Sequence, residues 1–368
     1  MQEMADKHEA LHAVDGKGGG NPDRVSFAVC CTAKGCHTGN QDLMNMRKST
    51  TVTKTLLLVL TAFIWGFTFS FQSIATKYVG TYTYLACRSW IAVLFLIPVI
   101  RVSDRIRLKQ TGSSLAPVTM RQKRALWIAG AASGAVLCMA SAFQQTGIAT
   151  TTTAKASFIT AMYVILVPIF SMLLGKKTER KIWFCVAVSI VGLYFLCFRA
   201  GSLEGFGGGD ALMLCAAAGF AVQILVIDHF SPGLDPVRLS QRQVLFQGAI
   251  STVLMLVLEH PTAYGLLHAA VSIVFAGVLS SGVAYTLQIT GQKGLNPTIA
   301  SIAMCLESVF GAIGGWLILG QRLSGREILG CALMFTAIVL AQLPPLPARK
   351  RAGQIQNTDF HYEQGAQS

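Results

Sequence analysis

The chain has 368 residues, 52% of them hydrophobic and only 13% charged, with a mean hydropathy of +0.53 and a net charge of +13. That balance excludes an ordinary soluble domain. The excess of Lys and Arg does not point to nucleic acid, because the basic residues sit in short segments between apolar runs, where orientation in a bilayer explains them.

Residues 1–45 are polar and Gly-rich with no apolar helical face, and are expected to form a disordered tail. No signal peptide is visible, since the first apolar run starts at Thr55. Cys30, Cys31, Cys36 and His37 form CC-x4-CH, which matches neither the haem-attachment motif nor a paired zinc motif, so no metal site is read there. Met44 and Met46 precede a basic stretch and leave open whether residues 1–43 are translated.

Ten apolar runs follow, over roughly 55–76, 82–100, 125–146, 152–174, 182–199, 209–228, 238–258, 265–290, 296–319 and 326–343. Each approaches the ~20 residues that carry a helix across a bilayer core. Seven of the ten cysteines lie inside these runs and behave as small hydrophobes, not as a disulfide framework. A polar tail, residues 344–368, closes the chain. Counting Lys and Arg by alternate loops gives 19 on the side of Arg47, Arg101, Lys176 and Arg349, against 4 on the other. The positive-inside rule then places both termini in the cytoplasm.

Gln144–Lys177 and Gln288–Arg322 are two versions of one unit: a Q-x-T-G ends one run, a short polar turn opens the next, and a Gly with cations closes it. The expected fold is an all-α integral membrane protein of about ten transmembrane helices in two five-helix repeats, 55–199 and 209–343. Five is odd, so the second repeat enters the membrane from the opposite side. Inverted repeats of this kind are a plan of secondary transporters, with the solute site near the midplane.

Particular stretches carry a family resemblance. LLLVLTAFIWGFTFSFQSIATKY with Trp65-Gly66 and Lys77, LACRSW with Arg88, TTTTAKASFITAMYVILVPIFSMLLGKK, and CLESVFGAIGGWLILGQRLSGREILGCALM resemble, in order, helices of the EamA family of the drug/metabolite transporter superfamily. The resemblance covers nearly all of residues 55–343 and implies transport of small organic molecules, often export. The last motif departs from the family, which usually reads Glu-Pro and Gly-Glu where this chain has Glu307-Ser308 and Gly320-Gln321. Without that Pro the ninth helix is expected to be straighter.

Charges inside the hydrocarbon cost roughly 2.5–3.5 kcal/mol on insertion scales, so each asks for a reason. Glu307 lies about eleven residues into the ninth run and is the only acidic residue deep in any run, which makes it the first candidate for a coupling proton carrier or solute ligand. The alternative is a protonated carboxyl bonded to a neighbouring helix. Arg88 either snorkels to a headgroup or faces inward to meet an anion or a carboxylate. Lys155 either caps the fourth run or gives the cavity mouth a positive charge. Arg242 is read either as snorkelling or as a cytoplasmic gate residue.

Tyr163, Gln144 and Gln288 complete the candidate solute-binding or coupling set, with Gln72, Gln145, Gln223 and Tyr285 as further polar groups that line a cavity or bond between helices. Gly130, Gly134, Gly311, Gly314 and Gly315 are read as packing positions. No Walker A, H-E-x-x-H or G-x-S-x-G sequence occurs, so no cofactor or metal is expected, and either an ion or solute gradient is the energy source or the protein is a facilitator.

The expected partners are a small-molecule solute and the lipid bilayer, with no nucleic acid. The reading is a secondary transporter, most simply an exporter, of small polar metabolites such as amino acids or drugs. Alternatives are a nucleotide-sugar or phosphorylated-solute exchanger and, from another class, a polytopic membrane enzyme or sensor.

Overall fold

The computed structural model describes residues 35–111, 119–150, 153–176, 179–197, 207–319 and 325–342. Among the described residues every regular element is helical. The order is α1 (Gly35–Ala75), α2 (Thr81–Thr111), α3 (Met120–Ile148), α4 (Thr153–Ala161), α5 (Tyr163–Leu173), α6 (Arg180–Cys197) and α7 (Gly208–Phe230), then α8 (Pro236–Leu258), α9 (Ala263–Phe275), a π-helix (Ala276–Ala284), α10 (Tyr285–Gln292), α11 (Pro297–Met304), α12 (Glu307–Leu319) and α13 (Gly325–Gln342). The chain divides into two compact units, Met1–Lys48 and Ser49–Ser368. The first is helical from Gly35 onward, and the second holds the rest of α1 and every later helix. The expected C-terminal tail, and the Cys30–Cys31 half of the CC-x4-CH stretch, lie outside the described residues.

Eight helical stretches are long and apolar enough to cross a membrane: Thr51–Ala75, Thr81–Lys109, Met120–Ile148, Ala156–Leu173, Gly208–Phe230, Pro236–Leu258, Ala263–Gln292 and Pro297–Ile318. They coincide with the expected first four runs and the sixth to ninth. At the fifth and tenth expected positions stand α6 and α13, packed on each other. Large apolar side chains such as Leu256, Val257, Leu267 and Val271 point outward, as lipid-facing helices require.

The helix starts follow from local chemistry. Thr119 and Gln122 form a capping box on α3, Asp235 caps α8 ahead of Pro236, and Asn296 caps α11 ahead of Pro297. Gly175 ends α5 at a φ of +77°, in the left-handed region where a Cβ is costly.

Two apolar runs are not continuous. The fourth breaks at Met162 between α4 and α5, and the ninth breaks at Cys305–Leu306 between α11 and α12. The expectation of a straighter ninth helix is therefore corrected. The break is present with Ser308 in place of Pro: the Ser308 N–H donates to the Cys305 carbonyl at 3.2 Å, three residues back, and its hydroxyl donates to the Ser157 carbonyl at 3.1 Å.

The α2–α8 pair is fastened at both ends. At one end Glu259, at the C-terminus of α8, accepts from Tyr82 N at 2.8 Å, Thr83 N at 2.8 Å and the Thr83 hydroxyl at 2.7 Å. It caps α2 from another helix, because Gly80 has no side chain to do so, and a Cβ on Gly80 would collide with that carboxylate. At the other, basic end Arg238 pairs with Asp104 at 2.7 Å and Arg107 with Asp235 at 2.5 Å. Lys176 pairs with Asp228, and Lys54 Nζ donates to the Lys293 carbonyl at 2.6 Å. Glu259→Ala is expected to cost about 1–3 kcal/mol, the worth of a charged cap and the amides it leaves unpaired. Thermal unfolding in detergent should show a lower Tm for Glu259→Ala than for wild type, with Glu259→Gln between them, and a Glu259→Ala Tm equal to wild type would mean that the cap contributes nothing.

Candidate functional site

A cavity of about 40 Å³ lies among helices from both halves of the chain. From the first half it is lined by Trp65, Thr68 and Gln72 of α1, Arg88 of α2, Gln144 of α3, Thr160 of α4 and Tyr163 of α5. From the second half come Gln223 of α7, Ser280 of the π-helix, Tyr285 and Gln288 of α10, Met304 of α11 and Glu307 of α12. The break in each interrupted run therefore falls at the cavity wall. Tyr163 is the first residue of α5 and Glu307 the first of α12.

The lining is knitted by amides. Gln72 Nε2 donates to Gln144 Oε1 at 3.4 Å, and Gln144 Nε2 donates to the Thr160 hydroxyl at 3.4 Å. Across the cavity Gln288 Nε2 donates to Gln223 Oε1 at 3.1 Å, and Gln223 Nε2 returns a bond to Gln288 Oε1 at 3.3 Å. Trp65 Nε1 donates to the Ser280 carbonyl at 3.4 Å and its ring meets Tyr285 edge-on, with centroids 5.2 Å apart.

Among these amide pairs lie three buried groups: Arg88, whose Nε has no hydrogen-bond partner, and the Tyr163 hydroxyl and Glu307 carboxyl, which face each other. Among the described residues no carboxylate forms an ion pair with Arg88 and no cation forms one with Glu307. Arg88 Cζ instead lies 5.5 Å from the centroid of the Tyr84 ring. A buried cation and a buried carboxyl, each without a counter-ion among the described residues, are the features an apolar interior tolerates least. Arg88 does not snorkel: at 2% exposure it is turned into the bundle.

Of the six candidate residues, Glu307, Arg88, Tyr163, Gln144 and Gln288 line this one cavity. Lys155 belongs to α4, but its side chain lies outside the described residues. Arg242 is elsewhere, with its Cζ 4.3 Å from the Trp127 ring. Thr68, Thr160 and Ser280 reach the wall without any sequence signal that would have singled them out. Ser280 arrives there on a π-helix, a form frequent at functional sites.

A model of the EamA-like transporter family matches residues 53–198 and, a second time, residues 207–343. The chain belongs to the EamA-like transporter family. An uncharacterized transporter from Archaeoglobus fulgidus is 28% identical over 293 residues, covering 78% of this chain and 84% of that one. A solved crystal structure shares the fold with a TM-score of 0.62 at 17% identity, over 79% of this chain and 96% of that chain. Membership in the EamA-like family makes the protein a multi-pass membrane transporter, and the cavity lies within its two family-matched segments.

Proposed function

We propose that the protein is a secondary transporter that exports a small polar solute bearing an anionic group, such as an amino acid, by alternating access between two inverted five-helix halves. The observation that carries this reading is the cavity holding Arg88 and Glu307, both buried and, among the described residues, both without a counter-ion. Arg88 receives the anionic group, and Glu307 takes the coupling proton or a cationic group of the solute. The export direction rests on family analogy alone.

Several facts support the inverted halves. The end of α1 and the start of α2 recur in α7 and α8 at a shift of 155 residues, and the starts of α4 and α5 recur in α11 and α12 at a shift of 144. Contacts recur at the same shifts. Gly147 packs on Met213 and the Gly209 carbonyl, while Gly291 packs on Leu58 and the Lys54 carbonyl. Glu259 on Thr83 at one end of the α2–α8 pair answers to Asp104 on Arg238 at the other, again 155 residues apart. Equivalent contacts at opposite ends are what a two-fold axis in the membrane plane produces.

A volume near 40 Å³ holds two or three waters, so solute uptake needs the halves to part. The exchanger of phosphorylated solutes would want several buried cations, and Arg88 is the only one lining the cavity among the described residues. Uptake and efflux of a labelled amino-acid and metabolite panel in proteoliposomes, with and without a pH gradient, tests the proposal. A panel on which no member moves faster than in empty liposomes would sink it.

The orientation is tested separately. Pro261→Cys, in the exposed segment before α9, is expected to react with an impermeant maleimide in intact cells, and Gln122→Cys, exposed at the start of α3, only after permeabilisation. The reverse pattern would overturn the cytoplasmic placement of both termini.

A further inference from the structure

The cavity does not account for a polar stripe along α8. Ser240, Gln243, Gln247 and Ser251 recur at three- and four-residue steps on one face of that helix, and all four are fully buried. Ser251 meets Cys138 Sγ at 3.4 Å. The Ser240 hydroxyl, Gln243 Nε2 and both amide atoms of Gln247 have no hydrogen-bond partner. Both amide atoms of Gln292, where α10 ends, are in the same condition. A buried polar group left unpaired costs about 1–3 kcal/mol, and a hydrocarbon surround offers it nothing. So many in one file mark a place suited to water or to a hydrogen-bonding solute.

The file connects to the cavity and to one end of the bundle. Gln223 Nε2, on the cavity wall, donates to Gln243 Oε1 at 3.4 Å as well as to Gln288. Ser240 lies two residues beyond Arg238, which pairs with Asp104 at the basic end. Packing alone does not dictate the stripe. The positions 155 residues earlier in α2, its partner helix, are Leu85, Arg88, Ala92 and Leu96, three of them apolar and equally buried.

We infer that the Ser240–Gln243–Gln247 face of α8 is a hydrated track from the basic end of the bundle to the cavity, which takes water and the uncharged hydrogen-bonding groups of a small polar solute. The inference rests on the transport reading above. It makes the two halves chemically unequal. Solute reaching the cavity from the basic end passes amides, whereas the equivalent face of α2 offers only Arg88.

The test needs no knowledge of the solute. Ser240→Cys, Gln243→Cys and Gln247→Cys are made one at a time in full-length protein otherwise free of Cys, and treated in membranes with N-ethylmaleimide, which reacts with the hydrated thiolate. Each is expected to react at least tenfold faster than Leu85→Cys and Ala92→Cys. Equal rates at the α8 and α2 positions would overturn the track.

Gln247→Leu separates hydration from structure. It replaces orphaned polar atoms by apolar ones of similar size, so the Tm is expected to hold or rise, and N-ethylmaleimide labelling of Gln243→Cys is expected to fall tenfold in its presence. A lower Tm with unchanged labelling would make Gln247 a structural residue and end the proposal. Fast labelling of the three α8 cysteines combined with no transport of any panel member would leave the track standing and remove the transport reading instead.

Discussion

Glu307→Gln is expected to insert at wild-type abundance and to lose pH-gradient-driven transport by tenfold or more. Glu307 opens α12 at the break in the ninth apolar run, lines the cavity, and is buried. Tyr163, whose hydroxyl faces the Glu307 carboxyl, is on the same wall and opens the corresponding half-helix α5. If Glu307 carries the coupling proton as proposed, a carboxyl so buried is expected to exchange it when the cavity changes the side to which it is open. Gln keeps the size and some hydrogen bonding but can neither exchange a proton nor carry charge. Solute binding is expected to survive Glu307→Gln if the residue carries the proton, and to weaken if it binds the solute. Glu307→Asp, one methylene shorter, is expected to retain part of the activity. Proteoliposome flux at matched protein content decides the matter. Equal transport by Glu307→Gln and wild type would return Glu307 to an interhelical polar contact and leave Arg88 as the remaining candidate.

A second large effect is expected at Gly66. A Cβ there would lie 2.5 Å from Phe310 Cβ, 2.7 Å from the Glu307 carbonyl oxygen and 2.7 Å from Gly311 N. Two of these three are backbone atoms, so relief requires α1 and α12 to move apart, and overpacking of this kind costs about 1–3 kcal/mol. The displaced segment is the one that presents Glu307. Gly66→Ala is therefore expected to lower the Tm and to cut transport at least tenfold. On the other side of the same contact Gly311→Ala is expected to be close to wild type, because its nearest neighbours are Ser157 Cβ at 3.5 Å and Ser157 Oγ at 3.6 Å, ordinary contact distances. Normal flux in Gly66→Ala would show that α1 and α12 are not closely held during transport.

That contrast locates a limit of reading by letters. Gly311 with Gly315 and Gly130 with Gly134 both fit small-x-x-x-small spacing, yet a Cβ on Gly130 would collide with Arg242 while one on Gly311 meets only ordinary contacts. Spacing fixes which residues share a helix face. The distance from that face to the next helix depends on the partner, which lies far away in the chain.

By itself the sequence determined where the chain is apolar for long enough to cross a membrane, where Asn-Pro, Asp-Pro and Gly-Lys punctuate it, and that one unit returns after Gln144 and after Gln288. Those features are local, because the cost of unpaired backbone in hydrocarbon forces each long apolar run into a helix whatever its neighbours are. It also singled out Glu307, Arg88, Tyr163, Gln144 and Gln288, since a polar side chain in an apolar run stands out by identity alone.

Only the tertiary structure decided that these five share one cavity, that Arg88 turns inward, and that the breaks at Met162 and Cys305–Leu306 deliver Tyr163 and Glu307 to its wall. It alone revealed that Glu259 caps α2 and that α8 buries a file of unpaired amides. Hydropathy records how much a residue avoids water, but carries nothing about the rotation of its helix or the identity of the helix across from it. Those are settled when distant segments pack, and there an orphaned Gln247 and a bonded Gln223 part company.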